Sequence, residues 1–388
     1  MTLNAEAQEL LEKVRAMQPV LAAEAAESER LRRPTDAAID ALEKSGVFRL
    51  LVPRSYGGLE FDLDAFVEVG LTLGEVDVSL AWVTTFYIEH NWILCQFPEA
   101  FQKELFAGCD HVLAPATIAP TGEGQPVDGG YRLRGRWQWG TGSAHGSWVL
   151  VGAPSDPELG LASVRFFALP RDQVKIDDTW HVDGMCGTGS NDLLIEDVFV
   201  PAQHTAPIPQ LVAGQGEGAR LHKSPLYRTP MIPVLSLAAS MPIVGRARAV
   251  ARSFQDRLRE HVRLGSGTAQ AAKPAAQMHL ARGNVEARQA ELLLRDVATE
   301  VMALRDQASL ADRGRWAASL AHAVHQSRRV IQDVALASGA SIHFKRHPLQ
   351  RALRDVNTAT SHVVFDLDAR LELYGGALLG IGPSSPLF

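Results

Sequence analysis

Leu193-Leu194-Ile195-Glu196-Asp197-Val198-Phe199-Val200 is a dense run of apolar and β-branched residues closed by Pro201. It follows the glycine-rich stretch Gly184-Met185-Cys186-Gly187-Thr188-Gly189-Ser190-Asn191-Asp192. The run predicts a strand, and the stretch before it a loop. Trp148-Val149-Leu150-Val151 and Val164-Arg165-Phe166-Phe167-Ala168-Leu169 read as two more strands, and Gly, Pro and Asp clusters separate the three. From about Pro115 to Ala206 the chain is therefore expected to form an all-β domain, a barrel or a sandwich.

Both flanks are patterned differently. Upstream, Leu10, Val14, Met17 and Leu21 recur at helical spacing. Pro34-Thr35-Asp36 opens a second helix, with Thr35 or Asp36 as N-cap, Ile39 and Leu42 on its apolar face and Gly46 at its end. A short buried run, Val47 to Pro53, and a turn at Ser55-Tyr56-Gly57-Gly58 follow, and helical patterning returns from about Asp64 to Phe106. Downstream, residues 207–228 read as a polar connection. Segments 234–263, 270–305, 313–339 and 349–379 are each long enough for a helix of several turns, together a four-helix bundle. The expected domains are 1–113 (helical), 114–215 (β) and 216–388 (bundle). This is an α+β multidomain class, and the absence of βαβ alternation argues against a doubly wound sheet.

At 388 residues the chain exceeds what one core normally holds, ~250–300 residues. A formal net charge of −6 without a long basic run argues against nucleic acid or an anionic membrane as partner. The three cysteines, Cys95, Cys109 and Cys186, have no CxxC spacing, which speaks against a disulfide framework or a zinc site and for a reducing cytoplasm. No apolar signal core opens the chain, and no stretch reaches the ~18 apolar residues of a membrane span.

Three motifs in this order carry a resemblance over essentially the whole chain. Gly46-Val47-Phe48-Arg49-Leu50-Leu51-Val52-Pro53-Arg54-Ser55-Tyr56-Gly57-Gly58 resembles the first-domain signature of the acyl-CoA dehydrogenase fold. The 184–192 stretch before Phe199-Val200-Pro201 resembles its flavin-side loop, and Pro348-Leu349-Gln350-Arg351-Ala352-Leu353-Arg354-Asp355 resembles the entry to its last long helix. Where most dehydrogenases of this fold carry a Glu base after the Arg-Asp pair, this sequence has none, and the position falls near His362. A His there is similar to the group D two-component flavin-dependent monooxygenases, the oxygenase components of 4-hydroxyphenylacetate, steroid-phenol and dibenzothiophene systems. Arg136-Trp137-Gln138-Trp139-Gly140-Thr141-Gly142-Ser143-Ala144-His145 resembles their segment beside the flavin ring, with Thr141 where many carry Ser.

That resemblance implies an oxygenase taking reduced flavin, FMN or FAD, from a separate NAD(P)H:flavin reductase. It would hydroxylate a small aromatic substrate through a flavin hydroperoxide, use no metal, and assemble as a homotetramer. N- or S-oxygenation on the same fold, or an acyl-CoA dehydrogenase with a displaced base such as Glu89 or Glu372, are the alternatives. A flavin-free scaffold is a further one. His362 is the first catalytic candidate, expected on a helical face with Asp355, Thr358 and Asp366; an imidazole suits a proton-handling role because its ordinary pKa is near ~6.5. His90 shares a helical stripe with Trp82, Phe86 and Ile93, either as a satisfied core residue or as a pocket residue. Thr141 is the candidate for flavin contact, with Ser143 and His145 secondary and His145 alternatively bracing its turn. Thr188, Gly189 and Ser190 could face flavin; Trp137 and Trp139 could flank its ring or be core residues, and in a regular strand both point the same way. Arg263 is the candidate for a flavin phosphate. His279, His322, His325, His343 and His347 show no metal-ligand pattern.

Overall fold

The computed structural model describes residues 3–156, 158–260 and 270–382. The chain opens with α1 (Ala5–Leu31), whose Leu10, Val14, Met17 and Leu21 are buried as one face. In α2 (Asp36–Ser45) the Thr35 side chain caps the N-terminus by accepting from the Ala38 N–H, and Gly46 closes the helix in the left-handed region. Val47 to Val52 pass through the interior, with Phe48 fully buried. The helices α3 (Leu63–Gly74), α4 (Val78–Leu94) and α5 (Glu99–Leu105) follow. Nearly every residue of α4 is buried, so this helix is apolar all round and runs through the centre of the molecule.

The β-strands β1 (Ala116–Thr117), β2 (Glu123–Val127), β3 (Gly130–Gly140), β4 (Trp148–Pro154), β5 (Val164–Pro170), β6 (Lys175–Asp177), β7 (Asn191–Pro201) and β8 (Thr205–Pro207) form two sheets, ordered β1-β4-β5-β8 and β2-β3-β7-β6. Val149, Val151, Phe167 and Leu169 of the first sheet pack on Leu133, Trp137, Leu193 and Ile195 of the second, the interior of a sandwich. The three strands read from sequence are β4, β5 and β7. The expectation that Trp137 and Trp139 point the same way fails. The β3–β7 register shifts between Trp137 and Gly140, and Trp139 takes φ +67 at that bulge. One extra residue reverses the alternation, so Trp137 is fully buried and Trp139 is 65% exposed.

Residues 207–228 are not a loose polar link. They hold α6 (Ile208–Val212), α7 (Glu217–Leu221) and a 3-10 turn at Pro225–Arg228. Ile208, Leu211, Leu226 and Tyr227 are buried, and the Tyr227 hydroxyl donates to the Leu51 carbonyl at 2.9 Å. The two apolar pairs stand fifteen residues apart and each is too short to register as a periodic element, yet all four residues join the main core.

The C-terminal helices are α8 (Met231–Glu260), α9 (Pro274–Leu304), α10 (Leu310–Ser338), α11 (Pro348–Ala359) and α12 (Leu367–Leu378). Among the described residues, α8 is the one helix long and apolar enough to cross a membrane, and 78% of its apolar window is buried inside the protein. The segment expected as one helix over 349–379 is two. Thr360 and Ser361 hydroxyls bond back to the Asn357 carbonyl, the β-branched pair Val363-Val364 enters a 3-10 turn, and Asp366 caps α12 by accepting from the Ala369 N–H. Local side-chain bonds to the backbone compete with helix continuation here.

Candidate active site

Two groups of residues meet on α4. The first is a set of rings. Trp82 and Phe86 stack with centroids 4.8 Å apart, Phe86 meets the His90 ring edge-on at 5.6 Å, and His362 meets Trp82 at 5.7 Å. The α4 stripe and the α11–α12 turn are thus brought together through Trp82 and Phe86. The expected helical face does not exist: His362 sits in the turn, and its Nδ1 accepts from the Val364 N–H at 3.2 Å.

The two histidines differ in state. Burial lowers the His90 pKa to about 4, and its Nδ1 lies 2.6 Å from the Ala114 carbonyl. That contact assigns the proton to Nδ1 and leaves Nε2 as an acceptor. His362 is exposed at its surface yet surrounded by protein, and that desolvation lowers its imidazole to about 4. It too is neutral at pH 7. With Nδ1 accepting from Val364, its proton lies on Nε2, so His362 presents a donor.

The second group is a chain of hydroxyls. Thr188 Oγ1 donates to the Met185 carbonyl at 2.9 Å, Ser190 Oγ lies 2.7 Å from Thr188 Oγ1, and Thr141 Oγ1 lies 3.0 Å from Ser190 Oγ. A carbonyl only accepts, which fixes the direction: Ser190 donates to Thr188 and Thr141 donates to Ser190. The proton of Thr141 is spent inward and its lone pairs remain as the acceptor end. All three are buried. Ser143 does not join this chain; its hydroxyl donates to the Gly189 carbonyl at 2.8 Å and holds the two loops together. His145 braces from outside, with Nε2 2.9 Å from Asp36 Oδ1 and 3.1 Å from Arg33 Nη1. Arg263 lies outside the described residues.

Both loops are moulded onto α4 and α11. Gly142 has φ +75 and its carbonyl accepts from the Tyr87 hydroxyl; a Cβ here would collide with that phenol. At Gly184 a Cβ would strike the Arg354 carbonyl and Thr358. Met185, at φ +59, donates its N–H to Asp355 Oδ1 at 2.6 Å. Asp355 is buried beside Asp77, and burial followed by that neighbouring charge raises its pKa to about 7. The Arg354 guanidinium donates to the Asp183 carbonyl and to Glu29, both at 2.5 Å. The sequence assigns no role to Asp355 or Tyr87; for Asp355 the Arg354-Asp355 pair within α11 is the available signal.

Of the alternative bases, Glu372 is exposed on α12, whereas Glu89 is buried on α4 beside His90. Trp139, exposed at the bulge, stands two residues before Thr141, and no ring pair or cation–π contact involves it among the described residues. A buried acceptor hydroxyl two residues from an exposed indole, in loops with close-packed glycines, fits a planar ring system with an N–H edge such as a reduced flavin.

Residues 237–367 match the family model described as acyl-CoA dehydrogenase, C-terminal domain. The chain is 35% identical to the pigment production hydroxylase of Rhodococcus sp. over 98% of each protein. It is 29% identical to the flavin-dependent monooxygenase oxygenase subunit HsaA of Rhodococcus jostii, covering 96% of this chain and 98% of the relative. The structure of XiaF from Streptomyces sp. in complex with FADH2 and glycerol superposes with a TM-score of 0.89 at 28% identity, over 98% of this chain and 97% of that one. With a helical domain, a β-sandwich and C-terminal helices in this order, and with these relatives along its whole length, the chain belongs to the acyl-CoA dehydrogenase-fold flavin-dependent monooxygenases, as an oxygenase component.

Proposed function

We propose that this oxygenase hydroxylates a small phenolic substrate in the cleft between α4 and the α11–α12 turn, using reduced FAD supplied by a separate reductase. The observation that carries this reading is the ring cluster of Trp82, Phe86, His90 and His362, which joins an apolar aromatic wall to one accessible imidazole. Aromatic side chains pack favourably on an aromatic substrate in offset or edge-on geometry. In this reading His362 Nε2–H donates to the substrate oxygen, holding a phenolate and so raising the electron density of the ring to be attacked. The bound reduced flavin supplies the activation of oxygen.

The residues that would hold it are Thr141, Thr188, Gly189, Ser190, Ser143 and Trp139. Thr141, left as an acceptor, suits the ring N–H that a reduced flavin carries and an oxidised one lacks. Thr188, Ser190 and Ser143 fix its position, and Trp139 covers a ring face. The FADH2 in the Streptomyces complex supports FAD over FMN. Arg263 remains a proposal for the phosphate. The FMN/FAD question is answered by anaerobic titration with each reduced flavin.

A homotetramer is supported by the exposed Met278, Val285 and Leu292, seven residues apart on α9, with Leu371 and Leu378 exposed on α12. Free Cys95, Cys109 and Cys186 support a cytoplasmic setting. The test is product formation from a panel of phenols and indoles with a flavin reductase, NADH and oxygen. Hydroxylated phenol is expected; product from thioethers alone would replace this reading with S-oxygenation.

A further inference from the structure

Glu89 is 1% exposed, and neither of its carboxylate oxygens has a hydrogen-bond partner. It lies seven residues after Trp82 and three after Phe86, in the middle of the same stripe of α4. Its Oε2 is 3.3 Å from His90 Nε2, the acceptor nitrogen of that ring. An ionised carboxylate facing an imidazole lone pair in an apolar surround would leave two acceptors against each other and a charge without water. A carboxylic acid in the same place has one donor and the imidazole one acceptor, and at 3.3 Å a small turn of the Glu89 carboxyl brings the two into line.

We propose that Glu89 is a positioning residue that stays un-ionised and donates its O–H to His90 Nε2, locking His90 between this acid and the Ala114 carbonyl. Burial pushes the Glu89 carboxyl well above the ordinary carboxylate range and the His90 imidazole down, so both members favour the neutral pair. His90 is then no free base: one nitrogen is held on Ala114 and the other on Glu89. Its role is to fix the edge of the ring wall through its contact with Phe86, and proton handling falls to His362. The proposal rests on the reading of the ring cluster as the substrate cleft only for its effect on turnover; the state of the pair is independent of it.

The experiment is infrared spectroscopy of the flavin-free protein at pH 7, with Glu89→Gln, Glu89→Leu and His90→Asn. The carbonyl stretch of an un-ionised carboxylic acid is expected in the wild type, lost in Glu89→Gln, and shifted in His90→Asn, where its acceptor has gone. Turnover is read alongside: the Gln amide is also a donor, so Glu89→Gln retains kcat within about threefold, while Glu89→Leu lowers it about tenfold, the effect of one lost buried hydrogen bond. Absence of the acid band in wild type overturns the proposal, as does a loss in Glu89→Gln as large as in Glu89→Leu, since that marks an ionised or basic Glu89. An acid band with no phenol turnover in any variant keeps the pair and removes the substrate assignment instead.

Discussion

The loop pair that carries Thr141 and Ser190 and the turn that carries His362 sit on the same helix but are built in opposite ways. In the loops every hydroxyl is buried and committed, with the chain from Thr141 to the Met185 carbonyl running in one direction. In the turn, His362 is accessible and is tethered by a bond to its own backbone two residues on. The first arrangement is preorganised: its groups pay no reordering cost when a ligand arrives. The second can change sequence without unsettling a network. A cofactor shared by relatives suits the first and a substrate that differs among them suits the second.

The sharpest way to break this contrast is Gly184→Ala. The added methyl meets the Arg354 carbonyl, so a loss of about 3 kcal/mol is expected, read as a fall in Tm, with reduced-flavin binding lost. An unchanged Tm would show the loop to be loose after all. His362→Ala is expected to leave Tm unchanged, since the residue is exposed, and to lower product formation about a hundredfold. Unchanged turnover would remove its assigned role.

Asp355 gives a pH test. Its folded pKa, raised to about 7, lies above the unfolded value of ~3.9. Below that unfolded value both states hold the proton and the group costs nothing. As pH rises toward 7 the unfolded chain releases its proton first, so stability is lost across that window. Asp355→Asn still accepts from Met185 and should flatten the stability profile between about pH 4 and 7, measured by denaturant unfolding. An equally steep profile would place the proton elsewhere.

Thr141→Val should cost about 1 kcal/mol and reduce the preference for reduced over oxidised flavin about tenfold, with Thr141→Ser restoring it. The smallest effect is expected at Trp139→Ala: stability within about 0.5 kcal/mol and a weakened flavin complex. A large stability loss there would mean the ring is packed and not available.

Much of this was legible in the residues. The strand runs, the Thr35 cap, the α4 stripe and the order of helices, sandwich and bundle follow from periodicity and turn chemistry. What was not legible depends on single-residue events. One inserted residue at Trp137–Gly140 reverses a strand face, and no composition window registers it. The Thr360–Asp366 break hides in a segment whose average pattern is helical. The roles of Asp355, Tyr87 and the Ser190–Thr188 relay depend on partners more than forty positions away or on hydrogen-bond direction, which spacing does not encode.

Tyr87 binds the Gly142 carbonyl, Ser79 lies 3.9 Å from the Met185 sulfur, and between them on the same helix stand Trp82 and Phe86. Adaptation to a new substrate and retention of the cofactor are therefore epistatic. Substitutions at 82 or 86 shift the helix on which the loops rest, and their free energies will not add to those at 141 or 188. Any lineage changing the ring wall is expected to accumulate compensating changes around Gly142 and Met185, and directed evolution of this scaffold should mutate the two sets together.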